Sequence, residues 1–357
     1  MHLFLSGWRR QVLPETRDLL DLTDEELDCW LKERGYPRYR RDQILAWVFD
    51  RLVTDFEDMT NVPRPMRSDL SQSFHIACSK VVAVRKSADD AASKLLILLE
   101  DGQKIETVIM RYRYGISACV SSQVGCKIGC AFCASGASGF VRDLTAGEMV
   151  GQVLAANRSL GSDERVSSIV VMGMGEPLDN FDALVKFMEL IHDSDRTGIG
   201  YRRITVSTSG LVPKILELAS LRLPVTLAVS LHAPDDLLRN RLVPLNRVYP
   251  VSTLIEAAGQ YAETTGRRVT FEYALIRRVN DSDECARSLA RLIKGMLCHV
   301  NLIPLNPVSG IALERSDRVQ AFHDLLQNEG IDVTIRRELG IDIDAACGQL
   351  RRRHAEP

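Results

Sequence analysis

The sequence of 357 residues has no apolar run near the roughly 18–20 residues that a helix needs to span a bilayer. It also has no low-complexity or repeated segment and little charge imbalance, since 45 basic and 47 acidic residues give a formal net charge of −2. This near balance excludes gross electrostatic attraction to nucleic acid but leaves room for a local basic face. Average hydrophobic (45%) and charged (26%) fractions exclude a disordered chain, a collagen-like repeat and a coiled coil.

The first residues, MHLFLSGWRR, lack the basic start and the small-residue cleavage site of a secretory signal. The nine cysteines are an odd number for a disulfide-stapled secreted protein, and four of them fall between Cys119 and Cys133. In a chain of this size such a cluster is typical of metal binding or redox chemistry. We therefore expect a soluble cytoplasmic enzyme without membrane contact.

The first part of the chain is predicted to be helical. Thr23 and Glu26 form a capping-box pattern ahead of an apolar helical face, and helical spacing resumes over 41–52 and near 66–74. Strand-like segments follow, with an Asp-Gly turn at 101–102. These segments are KVVAVRK, KLLILLE and QKIETVIMRY.

From about residue 116 the pattern changes to alternating strands and helices. The predicted strands are ISACVSS, SSIVVMG, RITVSTS, VTLAVSL, VTFEYAL, HVNLIPL and DVTIRR. The predicted helices lie near 145–159, 180–193, 212–220, 251–264, 283–295 and 316–329. The first of them begins with a second capping box, Thr145 with Glu148. Six or seven consecutive strand–helix units indicate an α/β fold with a parallel sheet, either open or closed as a barrel.

Polar and glycine-rich segments follow most of these strands. They are CKIGCAFC (126–133), GMGEP (173–177), STSG (207–210), SLHAP (230–234) and NLIPLNP (301–307). The carboxyl ends of parallel strands meet on one face, where barrel active sites lie. We therefore expect the functional site on that face.

The spacing CxxxCxxC places three thiols on one short loop. These cysteines are Cys126, Cys130 and Cys133. Three thiolates can hold a [4Fe–4S] cluster and leave one iron open to a substrate or cofactor. Structural zinc normally needs four protein ligands, so it would have to recruit Cys119, Cys347 or a histidine. Because zinc sites usually pair two C-x2-C units, the cluster is favoured. Phe132 would either shield the cluster from water or be ordinary core.

CxxxCxxC with an aromatic residue before its last cysteine, in a strand–helix barrel, resembles the radical S-adenosylmethionine (radical SAM) superfamily. Six ordered motifs narrow the resemblance to the RlmN/Cfr family of RNA adenine methyltransferases, from about residue 15 to 350. The motifs are CVSSQVGC, GMGEPLDN, STSG, SLHAP, NLIPLNP and DIDAACGQL. The resemblance implies a partial (β/α)6-type radical SAM barrel, S-adenosylmethionine as cofactor, and one [4Fe–4S] cluster held by three cysteines.

The resemblance also implies a domain organisation. A small helical accessory domain that binds RNA would occupy 1–78, and a β-hairpin connector would occupy 79–115. The barrel with a C-terminal carrier-cysteine loop would cover 116–350, followed by a basic tail at 351–357.

The family's mechanism assigns roles to three residues. The resemblance implies that Cys347 accepts a methyl group from one S-adenosylmethionine, and that a radical from a second molecule removes a hydrogen from it. The resulting methylene radical adds to adenine, and Glu106 accepts the ring proton. Cys119 then attacks the sulfur of Cys347 and releases the product as a transient disulfide forms.

Each of these residues also has an ordinary interpretation. Cys119 would be a buried strand cysteine, Glu106 an exposed strand carboxylate, and Cys347 a loop cysteine with small neighbours. Their positions relative to the motifs, rather than their individual chemistry, support the catalytic roles. Cys119 stands seven residues before Cys126, and Glu106 stands thirteen residues before Cys119.

For the cofactor, the resemblance places Gly175 and Glu176 at the amino end of S-adenosylmethionine. The residues that it implies for the rest of the cofactor are Ser207, Ser230, Leu231, His232 and Asn306. A carboxylate such as that of Glu176 accepts hydrogen bonds from an ammonium group, and glycine permits close backbone approach. His232 alone would be a satisfied structural histidine, and only its SLHAP context favours the cofactor role.

The resemblance implies methylation of adenine at its ring carbon C2. A protein can reach this carbon only when the target adenine is in a loop or flipped from its stack. Residues 38–41, Arg-Tyr-Arg-Arg, combine cations with an aromatic ring as single-stranded RNA sites do, although a solvated helix start has the same composition. Arg336, Arg337 and the basic tail are either phosphate contacts or surface elements. The expected partners are 23S ribosomal RNA, transfer RNA and an electron donor such as flavodoxin, and we expect a monomer.

Two departures from the family bear on how RNA is held. Ile341 stands where the family usually has Asp or Ser, and the chain stops ten residues after Cys347, earlier than its relatives generally do. Neither touches a catalytic position.

Three functions remain open at this point. One branch of the family methylates adenine C2 in 23S ribosomal RNA and in transfer RNA, next to the anticodon. The Cfr-like branch methylates C8 of the ribosomal adenosine, but DIDAACGQL and CVSSQVGC favour the C2 branch. The third function, a noncatalytic iron–sulfur RNA-binding protein in ribosome assembly, has no use for two spare thiols and a base.

Overall fold

The computed structural model describes residues 16–77, 80–137, 139–308 and 310–350. The chain divides into two compact units between residues 77 and 78. The basic tail predicted at 351–357 lies outside the described residues. Among the helices of the described residues, none is both long and apolar enough to cross a bilayer.

The first unit is mainly helical, as predicted. Its elements are β1 (Arg17–Asp18), α1 (Asp24–Glu33), α2 (Tyr39–Leu45) with a π-helical turn (Ala46–Asp50), α3 (Arg64–Ser73) and β2 (Phe74–His75). The predicted capping box begins α1, because the Glu26 N–H donates to Thr23 Oγ1 (3.2 Å) and the Thr23 N–H donates to Glu26 Oε2 (2.9 Å). The buried face of α1 carries Trp30, whose ring centroid lies 5.2 Å from that of Phe74. This contact joins the first helix to the end of the unit.

In its described residues the second unit has twelve strands, ten of which form one large sheet. Its strands are β3 (Lys80–Lys86), β4 (Ala92–Leu98), β5 (Lys104–Tyr112), β6 (Gly115–Cys119), β7 (Gln123–Gly125), β8 (Phe140–Asp143), β9 (Val166–Val171), β10 (Ile204–Thr208), β11 (Thr226–Ser230), β12 (Val269–Leu275), β13 (Cys298–Pro304) and β14 (Val333–Ile335). The large sheet has the order β14-β13-β12-β11-β10-β9-β6-β5-β4-β3, and β7 pairs with β8 in a small antiparallel sheet.

The second unit also contains helices, most of which connect parallel strands. They are α4 (Ala134–Ala137), α5 (Ala146–Arg158), α6 (Phe181–His192), α7 (Val212–Ser220), α8 (Asp236–Leu242), α9 (Val251–Thr265), α10 (Asp283–Ile293) and α11 (Val319–Asn328). The six predicted helices of this region are confirmed, and the capping box of Thr145 and Glu148 begins α5. The pattern missed α4, which has four residues, and α8, which has seven residues and is capped by the Asp235 side chain.

In the large sheet, β6 pairs with β9 in parallel, and each following strand from β9 to β14 is parallel to the next. Within the described residues, β3 and β14 do not pair with each other, so the barrel is partial. The α/β fold with a partial barrel, predicted from the alternation of elements and the family resemblance, is confirmed.

The predicted β connector continues the same sheet. β3, β4, β5 and β6 are antiparallel neighbours, and β6 then pairs with β9. The predicted boundary between residues 115 and 116 therefore falls inside a continuous sheet. Register sets Val108 opposite Cys119, which places the strand of Glu106 directly beside the first barrel strand.

Candidate active site

The carboxyl ends of the parallel strands line one cavity, called here the first cavity. Its wall includes residues that follow or end five different strands, as the strand-end segments predict. These residues are Met172, Gly173, Ser207, Thr208, Ser230, His232, Asn306 and Arg336.

All three cysteines of CxxxCxxC line the first cavity. Burial raises the pKa of Cys126 to about 12 and also raises the pKa of Cys130, and repulsion between the neighbouring thiolates adds to both shifts. A structural zinc normally has four protein ligands, whereas three thiolates are a complete protein donor set for a [4Fe–4S] cluster with one open iron. The cluster therefore fits this donor set better than a single zinc ion.

Phe132 and His232 pack against each other beside these cysteines. Their rings meet edge to face with centroids 4.6 Å apart, and both residues line the first cavity. His232 Nδ1 accepts a hydrogen bond from the Ala274 N–H (3.0 Å), and burial lowers the pKa of His232 to about 3, with the Arg239 charge contributing. The imidazole is therefore neutral, with its proton on Nε2. His232 is both a satisfied structural group and a wall residue.

Glu176 is a buried carboxylate in the first cavity, and burial raises its pKa. Its Oε1 accepts from the Leu178 N–H (3.2 Å), and its Oε2 accepts from the Ser209 N–H (2.6 Å). An ammonium group in the cavity would offset the cost of burying this charge.

Asn306 supplies an unpaired acceptor to the same cavity. Its Nδ2 donates to the Cys347 carbonyl (3.1 Å), whereas its buried Oδ1 has no hydrogen-bond partner. A buried acceptor facing a cavity suits a ligand hydroxyl or amine. Glu176 and Asn306 thus fit a cofactor that carries an amino acid head and a nucleoside.

Most of the predicted cofactor contacts are brought together. Gly175, Glu176, Ser207, Ser230, His232 and Asn306 all line the first cavity. Leu231 is not a wall residue: its side chain is fully buried, its N–H donates to the Glu272 carbonyl, and its own carbonyl accepts from Arg239.

A second cavity adjoins the first and contains the other two predicted thiols. Cys119 and Cys347 both line it and are both free, and Cys347 lines the first cavity as well. Burial raises the pKa of Cys119 to about 12, and repulsion from Cys347 adds to the shift. Burial also raises the pKa of Cys347. The two thiols are therefore close enough for a charge on Cys347 to raise the pKa of Cys119.

Arg336 is a cation beside these two thiols, and it lines both cavities. Its charge opposes the upward pKa shifts of Cys119 and Cys347, and its Nη1 lies 3.5 Å from Glu272 Oε2. Sequence reasoning offered Arg336 only as a phosphate contact or surface residue. Its position directly after β14 was the available signal, because it follows a parallel strand like the other wall residues.

Glu106 is buried, in contrast to the exposed strand carboxylate of its ordinary interpretation. Its Oε1 lies 3.1 Å from Lys94 Nζ, a buried ammonium that also donates to the Asp344 carbonyl (2.8 Å). Glu106 is not a wall residue of either cavity. Lys94, which sequence reasoning missed, thus connects the predicted proton acceptor to the loop of Cys347.

The loop 340–350, called here the carrier loop, is held in place mainly through backbone groups. The Ala134 N–H donates to the Gly348 carbonyl (2.8 Å), and Ser135 Oγ donates to the Leu350 carbonyl (2.6 Å). On the opposite flank the Ala88 N–H donates to Asp342 Oδ2 (2.9 Å). The loop is therefore fixed to the helix after Cys133 and to the turn before β4.

In the first unit, the Arg-Tyr-Arg-Arg segment has mixed roles. Arg41 is buried and forms an ion pair with Asp28 (3.0 Å), so it is a structural residue. Tyr39 is 53% exposed, and the guanidinium of Arg40 lies 4.9 Å from its ring centroid. Arg40 is half-buried and also donates to Gln43 Oε1 (2.7 Å), whereas the Arg38 side chain is 76% exposed. Arg38 and Tyr39 therefore keep the exposed cation and ring that an RNA contact needs.

Comparison with known proteins matches both units to family models. Residues 17–76 match the ribosomal RNA large subunit methyltransferase N-terminal domain, and residues 120–289 match the radical SAM superfamily. The solved structure of a radical SAM methyltransferase from Sphaerobacter thermophilus is 49% identical, has a TM-score of 0.91, and covers 94% of this chain and 99% of its own.

Curated relatives agree over nearly the whole length. Probable dual-specificity RNA methyltransferases RlmN from Desulforamulus reducens and Geobacillus kaustophilus are each 51% identical. The first alignment covers 94% of this chain and 96% of the relative, and the second covers 96% and 94%. With half of its residues shared over almost its full length, the chain belongs to the RlmN family of radical SAM methyltransferases.

Proposed function

We propose that this protein methylates C2 of adenosine in 23S ribosomal RNA and in transfer RNA, next to the anticodon, through an S-methylcysteine on Cys347. The observation that carries the proposal is the shared second cavity of Cys119 and Cys347, which adjoins the cavity of the three-cysteine motif. A binding protein has no need for two free thiols beside such a motif. The relatives named dual-specificity RNA methyltransferases support two RNA substrates.

Cys126, Cys130 and Cys133 would hold one [4Fe–4S] cluster, while Gly175, Glu176, Ser207, Ser230, His232 and Asn306 would hold S-adenosylmethionine. When bound, these groups supply the methyl group and the radical that activates it. Glu176 would bind the cofactor ammonium, and the unpaired Asn306 Oδ1 would accept a hydrogen bond from the cofactor.

Residues of the chain then transfer the methyl carbon and accept the proton from the adenine ring. Cys347 carries the methyl carbon to adenine, because it lines both cavities. Glu106 keeps the role of ring-proton acceptor from the family resemblance, although its carboxylate lines neither cavity. Lys94 offsets the carboxylate charge before that transfer. Cys119, as a thiolate, attacks the Cys347 sulfur and forms a transient disulfide. The bond from sulfur to the product carbon breaks with its electron pair on carbon, which takes up a proton to complete the methyl group. Arg336 favours the thiolate form of both cysteines.

The remaining partners follow from this reaction. The cluster needs a one-electron reductant, for which a flavodoxin is suitable, and the RNA substrates place the protein in the cytoplasm. We propose that it acts as a monomer.

The test supplies anaerobically reconstituted protein with a reductant, S-adenosylmethionine that carries a deuterated methyl group, and both RNAs. Nucleoside digestion and mass spectrometry identify the product. We expect 2-methyladenosine from both substrates, no product from Cys347→Ala, and a covalent RNA–protein adduct that accumulates in Cys119→Ala. Cys285→Ala is the matched control, because Cys285 is a free cysteine outside both cavities.

Each alternative gives a different result. An 8-methyladenosine product would assign the protein to the C8 branch, and a normal product from Cys347→Ala would refute the carrier mechanism. RNA binding without any methylation, by a protein whose cluster is intact, would instead indicate the noncatalytic function in ribosome assembly.

A further inference from the structure

Two stacked tyrosines lie at the turn between β5 and β6. The ring centroids of Tyr112 and Tyr114 are 5.0 Å apart and their planes differ by 6°. Tyr112 is half-buried, whereas Tyr114 is 75% exposed. Stacking on Tyr112 covers one face of the Tyr114 ring, so the exposed area belongs largely to the rest of that ring. We call this pair the tyrosine platform.

The platform is continuous with the second cavity. Tyr112 lines that cavity together with Cys119 and Cys347, and its hydroxyl donates to Met110 Sδ (3.5 Å). One aromatic stack therefore begins at the wall of the second cavity and ends in solvent at Tyr114.

The turn that carries Tyr114 is well anchored. The Ile116 N–H donates to Ser167 Oγ (3.2 Å), and the Ser167 hydroxyl donates to the Ile116 carbonyl (3.1 Å). A Cβ on Gly115, whose φ is +136°, would lie 2.3 Å from Ser167 Oγ, so only glycine allows this close contact. The exposed ring is therefore displayed by a fixed backbone rather than by a loose loop.

The chemistry of the platform matches that of a single-stranded nucleic acid. Base stacking on aromatic rings combines with nearby cations in such sites, and the exposed Arg113 lies between the two tyrosines in sequence. An isolated exposed tyrosine would need no explanation, but a parallel stack that leads to a reactive thiol pair does.

We propose that Tyr114 stacks on a nucleobase adjacent to the target adenosine, and that it thereby fixes the RNA strand while the target base occupies the second cavity. This inference rests on the proposed function, in which RNA is the substrate. It adds a binding contact to that function and assigns Tyr114 no chemical step. Arg113 contributes attraction to the phosphate of the stacked nucleotide.

The experiment uses the reconstituted full-length protein and an anticodon stem-loop RNA that contains the target adenosine. Fluorescence anisotropy gives the Kd, and steady-state methylation gives KM and kcat separately. We expect Tyr114→Leu to raise Kd and KM about 5- to 100-fold, which is the range for loss of one base–aromatic stack, with kcat within about twofold. Tyr114→Phe keeps the ring, so it should retain nearly wild-type values.

A second measurement detects the stack directly. 2-Aminopurine replaces each neighbour of the target adenosine in turn, and its fluorescence is quenched when it stacks on an aromatic ring. We expect quenching at one of the two positions with wild type and Tyr114→Phe, and loss of that quenching with Tyr114→Leu. Leu237→Ala removes another exposed apolar side chain, 82% exposed and outside both cavities, and should leave all values unchanged.

The outcomes separate this inference from the proposed function. If wild type forms 2-methyladenosine and Tyr114→Leu keeps the wild-type KM and the quenching, the platform does not bind RNA and the inference fails alone. If Tyr114→Phe loses as much affinity as Tyr114→Leu, the hydroxyl rather than ring stacking is responsible, and the inference is also refuted. If wild type methylates no RNA at all, the proposed function fails first.

Discussion

Replacement of Lys94 by methionine is the most informative perturbation, because this buried ammonium touches both the predicted proton acceptor and the carrier loop. The Lys94 side chain is 4% exposed and that of Glu106 is 2% exposed, with 3.1 Å between Nζ and Oε1. Nζ also donates to the carbonyl of Asp344, three residues before Cys347 (2.8 Å). Lys94→Met removes both interactions and fills the site with an apolar chain of similar length.

The expected loss of stability is large because a buried carboxylate loses its ammonium. Breaking one partner of a buried ion pair typically costs about 3–5 kcal/mol. At about 2–4 °C per kcal/mol for a domain of this size, Tm should fall by roughly 6–20 °C. Lys94→Met combined with Glu106→Gln leaves a neutral pair, so most of that loss should be recovered.

Function separates the two contacts of Lys94. Methylation of Cys347 in the absence of RNA needs the carrier loop in position but does not need a proton acceptor. Lys94→Met and the double variant should therefore slow this reaction by about tenfold or more, since a small displacement of a reacting group is costly. Glu106→Gln alone keeps the Lys94 contact with Asp344 and should load methyl at nearly the wild-type rate.

Thermal unfolding of the reconstituted protein and the intact mass of Cys347-methylated chains are the two assays. Lys86→Met is the matched control, because Lys86 is an exposed lysine on β3. A Tm for Lys94→Met within 2 °C of wild type would refute the stability argument. Equal methyl loading in Lys94→Met and Glu106→Gln would refute the role of Lys94 in positioning the carrier loop.

Three further predictions follow from the charges and thiols. Arg336→Gln removes the cation that opposes the raised pKa of Cys347. Alkylation of Cys347 by iodoacetamide at pH 8 should therefore slow about tenfold, and by less in Arg336→Lys, which keeps the charge. Equal alkylation rates in wild type and Arg336→Gln would contradict this role of Arg336. Burial raises the pKa of Asp18 to about 6, above its unfolded value near 3.9, so the protonated carboxyl group stabilises the folded state at low pH. This stabilisation is lost as pH rises through 6. Asp18→Asn should therefore stabilise the first unit by about 1–2 kcal/mol at pH 7.5 and much less at pH 4.5, as denaturant titrations can check. Cys130→Ala should lose the iron and acid-labile sulfide of wild type, and zinc in the wild-type protein would instead contradict the cluster.

Local patterns were sufficient for most of the fold. Two capping boxes and the alternation of strand and helix periods are properties of short segments, and both capping boxes begin helices as predicted. The missed helix α8 is too short to show a period. Its Arg239 is buried and donates to the carbonyls of Leu231 and Ser209, contacts that depend on tertiary structure and leave no local signal.

The environment of Glu106 could not be predicted from its own segment. A carboxylate in a strand is normally solvated. The Asp-Gly turn predicted at 101–102 joins β4 to β5 but does not by itself give the observed residue-by-residue register. The observed register sets Leu96 opposite Glu106, so Lys94 lies two residues from that pairing and can reach the carboxylate. Burial of this charge therefore depends on strand pairing, which a single strand sequence does not encode.

The two cavities differ in how far sequence reasoning can locate them, and the reason is topological. Wall residues of the first cavity mostly follow parallel strands, so the strand-end rule finds them, and it would have included Arg336 after β14. Cys347 lies eleven residues beyond Arg336, in a loop that no strand positions. Its place is fixed by backbone contacts to Ala134 and Asn306 and by Lys94, which is separated from Asp344 by 250 positions. A pattern of periods and caps contains no such information, so the carrier role was accessible only through family resemblance. The same contacts explain why carrier-loop function should be sensitive to substitutions far away in sequence, such as Lys94→Met.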